Sequence, residues 1–329
     1  MGVGRRRLGR RSAVLVAVGI TCVAVAVAAF GVLSESGPRS PRIVARIPVG
    51  DGPDDLALGD GVLWLTNRED GTVSRIDLVR RTVTGTIDVG KGTKALELVG
   101  DFLWVGDIDE RALAIVDTRT GKIVERIPLS VFPNELVRVA GTVIVAAAPG
   151  DVLVPVDTDT RTPGEVLRVG GLPEDVVVSG DQVWVANSRD GTVTRSSLST
   201  GAIEVTIDVG AEPSAMAMSG NALWVTSQGD GEIQRIDSRS SKVVATIPVS
   251  GIPSDVAIDQ SGVWVSVYGG SSSRKTDRLL RIDPSTNTVV DVVAVPRIPS
   301  DLVVADGIVW VSCYSEDVLV AVDAGDRGA

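Results

Sequence analysis

The chain has 329 residues, 44% of them hydrophobic and 3% aromatic, with two cysteines, no histidine and a formal net charge of −10. Two cysteines exclude a disulfide framework or a cysteine metal cage. The missing histidine excludes Ser-His and Cys-His nucleophile pairs and the commonest transition-metal ligand.

At the N-terminus, residues 1–12 carry Arg5, Arg6, Arg7, Arg10 and Arg11 without an acid. Ala13 to Leu33 then run 21 residues without a charge, about the roughly 20 that cross a bilayer as a helix. The basic flank predicts a cytoplasmic N-terminus, with everything after Leu33 outside. A signal peptide cleaved at Ala24-Val25-Ala26 or Ala26-Val27-Ala28 is the alternative, and it exports the rest equally. Cys22 reads as a small apolar residue of that helix, and 34–42 as a short polar linker. Residues 1–42 hold seven Arg and one acid, so the remainder carries 25 basic and 41 acidic residues, a net charge of −16. An acidic body repels phosphate backbones, and nucleic-acid binding is not expected.

From residue 43 to 329 the sequence repeats. Trp64, Trp104, Trp184, Trp224, Trp264 and Trp310 occupy one position of the unit, at steps of 40, 80, 40, 40 and 46. Ile144 stands at the middle of the long gap, and an insertion near Gly270 lengthens the last step. A fixed period of this size marks a repeat architecture. Each unit gives short runs rich in Val, Ile, Thr and Trp, bounded by Gly, Asp and Asn, which read as strands and hairpins. Asp70-Gly71, Asp190-Gly191 and Asp230-Gly231 mark one recurrent tight turn. Four strands per unit of about 40 residues predict a seven-bladed β-propeller. The last unit stops after three strands, and Arg42 to Gly50 matches the fourth strand of other units. The N-terminal segment is therefore expected to complete blade seven and leave no open edge. The tryptophans are expected to pack between blades. A closed ring of this kind is expected to be monomeric.

Two sets of residues are candidates for function. Two residues after a loop proline stand Asp55, Glu135, Asp175, Asp255 and Asp301, with Ala95 and Ala215 in the other units. At the channel mouth such acids either cap their turns through backbone N–H groups or bind a hard cation, Ca²⁺ or Mg²⁺. The second set departs from symmetry. Tyr268, Tyr314 and Arg68 each follow their tryptophan by four residues, in blades six, seven and one. Arg274, Lys275 and Arg297 lie in loops of the same face, and the group is expected to form a recognition patch. Ser272 to Lys275 spells Ser-x-x-Lys, but lacks the context and partner motifs that this motif needs.

Val-Trp-Val-Ala-Asn at 183–187 and Leu-Trp-Leu-Thr-Asn at 63–67, with Asp-Gly-Thr-Val and Ile-Asp downstream, resemble the YVTN-type repeat of YncE-like bacterial propellers, with Trp for the usual Tyr. The resemblance spans 43–329 and implies a secreted propeller, but little about activity, since the family is mostly non-catalytic or uncharacterised. The Gly-x-Leu-Trp-x-Thr run also resembles virginiamycin B lyase, whose mechanism implies a histidine and a divalent metal. This chain has no histidine, so that mechanism is not expected. The expected function is a membrane-tethered binding or scaffold module at the outer cell envelope, recognising a peptide, a glycan or an envelope protein. The rival expectation is a metal-assisted lyase or hydrolase built on the channel-mouth carboxylates.

Overall fold

The computed structural model describes residues 39–325, apart from 60, 149 and 270–276. Among them, no helix is long and apolar enough to cross a membrane. The apolar run 13–33, Arg274 and Lys275 lie outside the described residues. The described residues form 28 strands in seven four-stranded antiparallel sheets, a seven-bladed β-propeller.

Blades one to six span residues 53–88, 93–128, 133–168, 173–208, 213–248 and 252–294. Within each, strands run in sequence order from the innermost to the outermost. Blade seven takes its inner three strands from residues 299–323 and its outer strand from Arg42–Pro48. Ile47 pairs with Leu319 and Pro48 with Val318, so the two ends of the repeat close on each other as the sequence requires. Arg42 pairs with Asp323, at the end of the strand remote from the turn that follows Cys313.

The core is seven clusters, one per blade interface. Trp64 packs with Leu96, Leu103 and Val105 of blade two. Trp104 meets Leu136, Val143 and Val145 of blade three, and Ile144 does the same with Val176, Val183 and Val185 of blade four. Trp184, Trp224 and Trp264 repeat the contact into blades five, six and seven. Trp310 packs on Leu56, Leu63 and Leu65 of blade one, across the closure seam. Each large residue in the second strand is thus the knob that one blade presents to the next. Burying such an indole is worth several kcal/mol.

Local rules explain the turns. Gly71 has φ +72°, and a Cβ there would lie 2.6 Å from the backbone of Gly90. Asp70 accepts the N–H of Asp51 at 2.7 Å, and Asp190 and Asp230 accept those of Gly171 and Ala211. The Asp-Gly turn therefore ties the second hairpin of a blade to the loop that enters it. Blade three departs from the pattern. Its outer strand shrinks to Leu167–Arg168, beside a third strand that contains Pro155, which has no N–H to donate.

Candidate functional site

The innermost strand of each sheet is an edge, so half of its amides have no partner within the blade. The strand also shifts register after its loop proline, as between Pro173 and Asp175. The acid two places after the proline fills the resulting gap. Asp175 accepts the N–H of Val176 at 2.6 Å with one oxygen and that of Met216, in the next blade, with the other. Asp55 does the same for Leu56 and for Leu96 of blade two. Asp255 reaches Leu302 of blade seven, and Asp301 reaches Leu56 of blade one, both at 2.7 Å. Glu135 accepts the N–H of Leu136 at 3.0 Å. Where blade two has Ala95, Glu97 takes over two residues on, accepting from Leu98 and from Arg138 of blade three.

Sequence reasoning named five of these acids and the turn-capping role, but not the bridge to the following blade and not Glu97. Among the described residues, no group of three or more Asp, Glu, Cys or His side chains is placed to hold a metal ion. The five candidate ligands, Asp55, Glu135, Asp175, Asp255 and Asp301, are engaged with backbone amides.

Burial dominates their chemistry. It pushes Asp55 and Asp175 up to about 7 against the relief that the amide hydrogen bonds give. Asp301 and Glu135 go well above the carboxylate range, because each is partly buried and poorly solvated and also faces other carboxylates, Asp255 and Asp55 for Asp301, Asp55 and Asp175 for Glu135. Asp255 is raised by burial as well. Like charges this close do not all ionise readily, so burial and the two neighbouring carboxylates, Asp255 and Asp55, favour the neutral form of Asp301.

Above the acids lies an open cavity of about 610 Å³. Its rim is the residue just before each acid position, a ring that sequence analysis passed over: Asp54, Lys94, Asn134, Glu174, Ser214, Ser254 and Ser300. Side chains join across blades here. Lys94 donates to Asn134, and Asn134 donates to Glu174 at 2.8 Å. Ser254 donates to the carbonyl of Pro299 at 2.7 Å, and Ser300 to Asp54 at 2.8 Å. Gln228 and Tyr268 complete the wall.

The described members of the asymmetric set have different partners. Tyr314 donates its hydroxyl to Glu69 across the closure seam. Arg68 lies close enough to act on that phenol and approaches Asp54 at 3.8 Å. Tyr268 instead lines the cavity, half-buried, and feels Glu212 of blade five. Arg297 is exposed, and its backbone N–H is held by Glu316 at 3.1 Å. One tyrosine thus serves the seam and the other the mouth.

No family model matches the chain, and no curated protein matches it. Among solved structures, a streptogramin B lyase is similar with a TM-score of 0.72 at 16% identity, over 86% of this chain and 97% of that one. The β-propeller domain of Cps50 (Swd1) from Myceliophteria thermophila is similar at 0.72 and 14%, over 86% and 99%. A hydrazine synthase chain of Kuenenia stuttgartiensis gives 0.71 and 16%, over 82% and 95%. A lyase, a propeller domain named without an activity and a synthase chain share this fold, so the likeness carries architecture and no activity.

Proposed function

We propose that this chain is an exported propeller of the YVTN, YncE-like type, tethered by its N-terminal apolar run, which binds a peptide, a glycan or an envelope protein at its channel mouth. The observation that carries the reading is the mouth itself. A cavity of about 610 Å³ is walled by hydrogen-bonding side chains from every blade and by one aromatic, Tyr268. Rigid strands hold these groups, and a polar rim with an aromatic face suits recognition of a polar ligand. Arg42, the first residue of its strand, lies at the end remote from the mouth. Among the described residues lining the cavity, Lys94 is the one cation against seven acids, so neutral or cationic ligands are favoured over polyanions.

The test is an array of glycans and peptides probed with the purified full-length protein, its Tyr268→Ala variant and the Tyr268→Ala/Tyr314→Ala double variant. Binding should fall with Tyr268→Ala, and the second substitution should add little. Equal binding by all three proteins would remove the mouth from the proposal. Dependence of binding on added Ca²⁺ or Mg²⁺ would favour the acid ring as an ion site. Protease added to spheroplasts should reach the propeller, with detergent needed to release the protein; cytoplasmic protection would refute export.

A further inference from the structure

The arginine opposite the tryptophan reveals a second site. Four blades pair the two residues across strands two and three: Trp64 with Arg75, Trp184 with Arg195, Trp224 with Arg235 and Trp264 with Arg281. In each, the guanidinium lies 5.2–5.8 Å from the indole centroid. Three of the four then reach the next blade at one equivalent carbonyl. Arg195 donates to the carbonyl of Ser238 at 3.2 Å, Arg235 to that of Pro284 at 2.7 Å and Arg281 to that of Ala324 at 2.8 Å.

In blade one the staple is open. The equivalent carbonyl belongs to Thr118, and the Arg75 guanidinium makes its one hydrogen bond among the described residues elsewhere, to Thr84 in its own blade at 2.9 Å. A cleft of about 450 Å³ occupies the gap, lined by Trp64, Arg75, Leu98, Asp101, Thr118 and Arg119 among others. Trp64 is 3% exposed where Trp184 and Trp264 are 0% and Trp224 1%, so its indole is the one of the four that the cleft reaches most.

We propose that this cleft between blades one and two binds a small organic monocarboxylate, with Arg75 as its anchor. The guanidinium presents a planar fork of donors whose usual acceptor is missing, and a carboxylate matches that fork with two parallel hydrogen bonds. Arg119, which approaches Asp117 at 3.5 Å, stands at the same wall. Asp101 repels multiply charged anions and limits the ligand to one negative charge. Trp64, Val62 and Leu98 supply an apolar floor, which suits a flat hydrocarbon body. The cleft is separate from the channel mouth, and the inference stands whether or not the mouth binds anything.

The experiment is ligand-observed fluorine NMR on the full-length protein in detergent, with 4-fluorobenzoate as probe and 4-fluorobenzamide as its neutral counterpart. Saturable binding of the benzoate is expected, with the benzamide about tenfold weaker or more, as loss of a charge-assisted hydrogen-bond pair implies. Arg75→Met should weaken the benzoate by about tenfold or more, while Arg195→Met, whose arginine is already committed, should leave it unchanged. No saturable binding, equal binding of both probes, or equal loss in the two arginine variants would overturn the proposal. Should Arg75→Met melt early, Leu98→Phe decides the matter, because it keeps the guanidinium and fills the floor: lost binding supports the cleft, and unchanged binding overturns it.

Discussion

Asp301 of blade seven accepts the backbone N–H of Leu56 in blade one at 2.7 Å. The residues lie 245 positions apart, and the bond crosses the seam where the ring closes. The same N–H is shared with Asp55 at 2.7 Å. Two acids and one amide therefore join the first and last blades at the channel wall, inside the ring, while the N-terminal strand joins them outside.

This arrangement makes stability depend on pH in the direction opposite to most acidic proteins. Carboxyls raised in the folded state to about 7, as for Asp55 and Asp175, bind protons there that the unfolded chain releases near 4. Their contribution is full below about pH 4 and is lost as pH rises through about 7. Asp55 and Asp175 keep partial exposure, which lessens the effect, so thermal melts should show a loss on the order of 1–3 kcal/mol between pH 5 and 8. Asp301→Asn, which cannot ionise, should flatten that slope. A melting temperature that rises from pH 5 to 8 would contradict this account.

Removing residues 43–49 should open the seam from outside. Ile47 is 3% exposed and packs with Leu319 and Trp310, so its loss alone costs roughly 2–5 kcal/mol. The strand Val318–Asp323 would also become an unpaired edge. The deletion should melt far below the intact protein and aggregate on heating. Unchanged melting would mean that the closure contributes nothing.

The fold was legible because its signal repeats. A tryptophan recurring at steps of about 40 residues and an Asp-Gly at three equivalent turns are read without knowing any contact. The acid ring was legible as a position, since Asp55, Asp175, Asp255 and Asp301 recur at one offset from a proline. What escaped depends on contacts between blades. The Trp64–Arg75 pairing follows only once strand register is fixed, and the Asp175 bridge to Met216 only once blades are neighbours. The rim of Lys94, Asn134 and Glu174 shares no residue type, so repetition could not mark it. Tyr268 and Tyr314 share a repeat position, yet the charges around each pull them to different work.

The interface tryptophans should be costly to truncate and cheap to trim. Trp184→Ala leaves a cavity between blades four and five and should cost roughly 3–5 kcal/mol. Trp184 Nε1 has no hydrogen-bond partner among the described residues. Trp184→Phe therefore loses packing area but no polar contact, and should cost about half as much or less. Denaturant melts of both variants measure the difference. Equal losses would mean that the indole N–H has a partner, such as a bound water.

The seam tyrosine can be read directly by titration, because the chain has two tyrosines. Tyr314 is pushed up to about 12, first by its hydrogen bond to Glu69 and then by burial. Tyr268 is raised too, by burial and by Glu212. Absorbance of the phenolate should therefore rise late, with little change at pH 10, where a free tyrosine is half ionised. Glu69→Gln removes the charged acceptor that favours the neutral phenol, and should bring one of the two transitions down toward 10. Tyr268 should keep its place in that variant, since Glu212 is untouched. A wild-type protein whose tyrosines both titrate near 10 would show that Tyr314 and Glu69 do not meet in solution, and the seam contact would have to be abandoned.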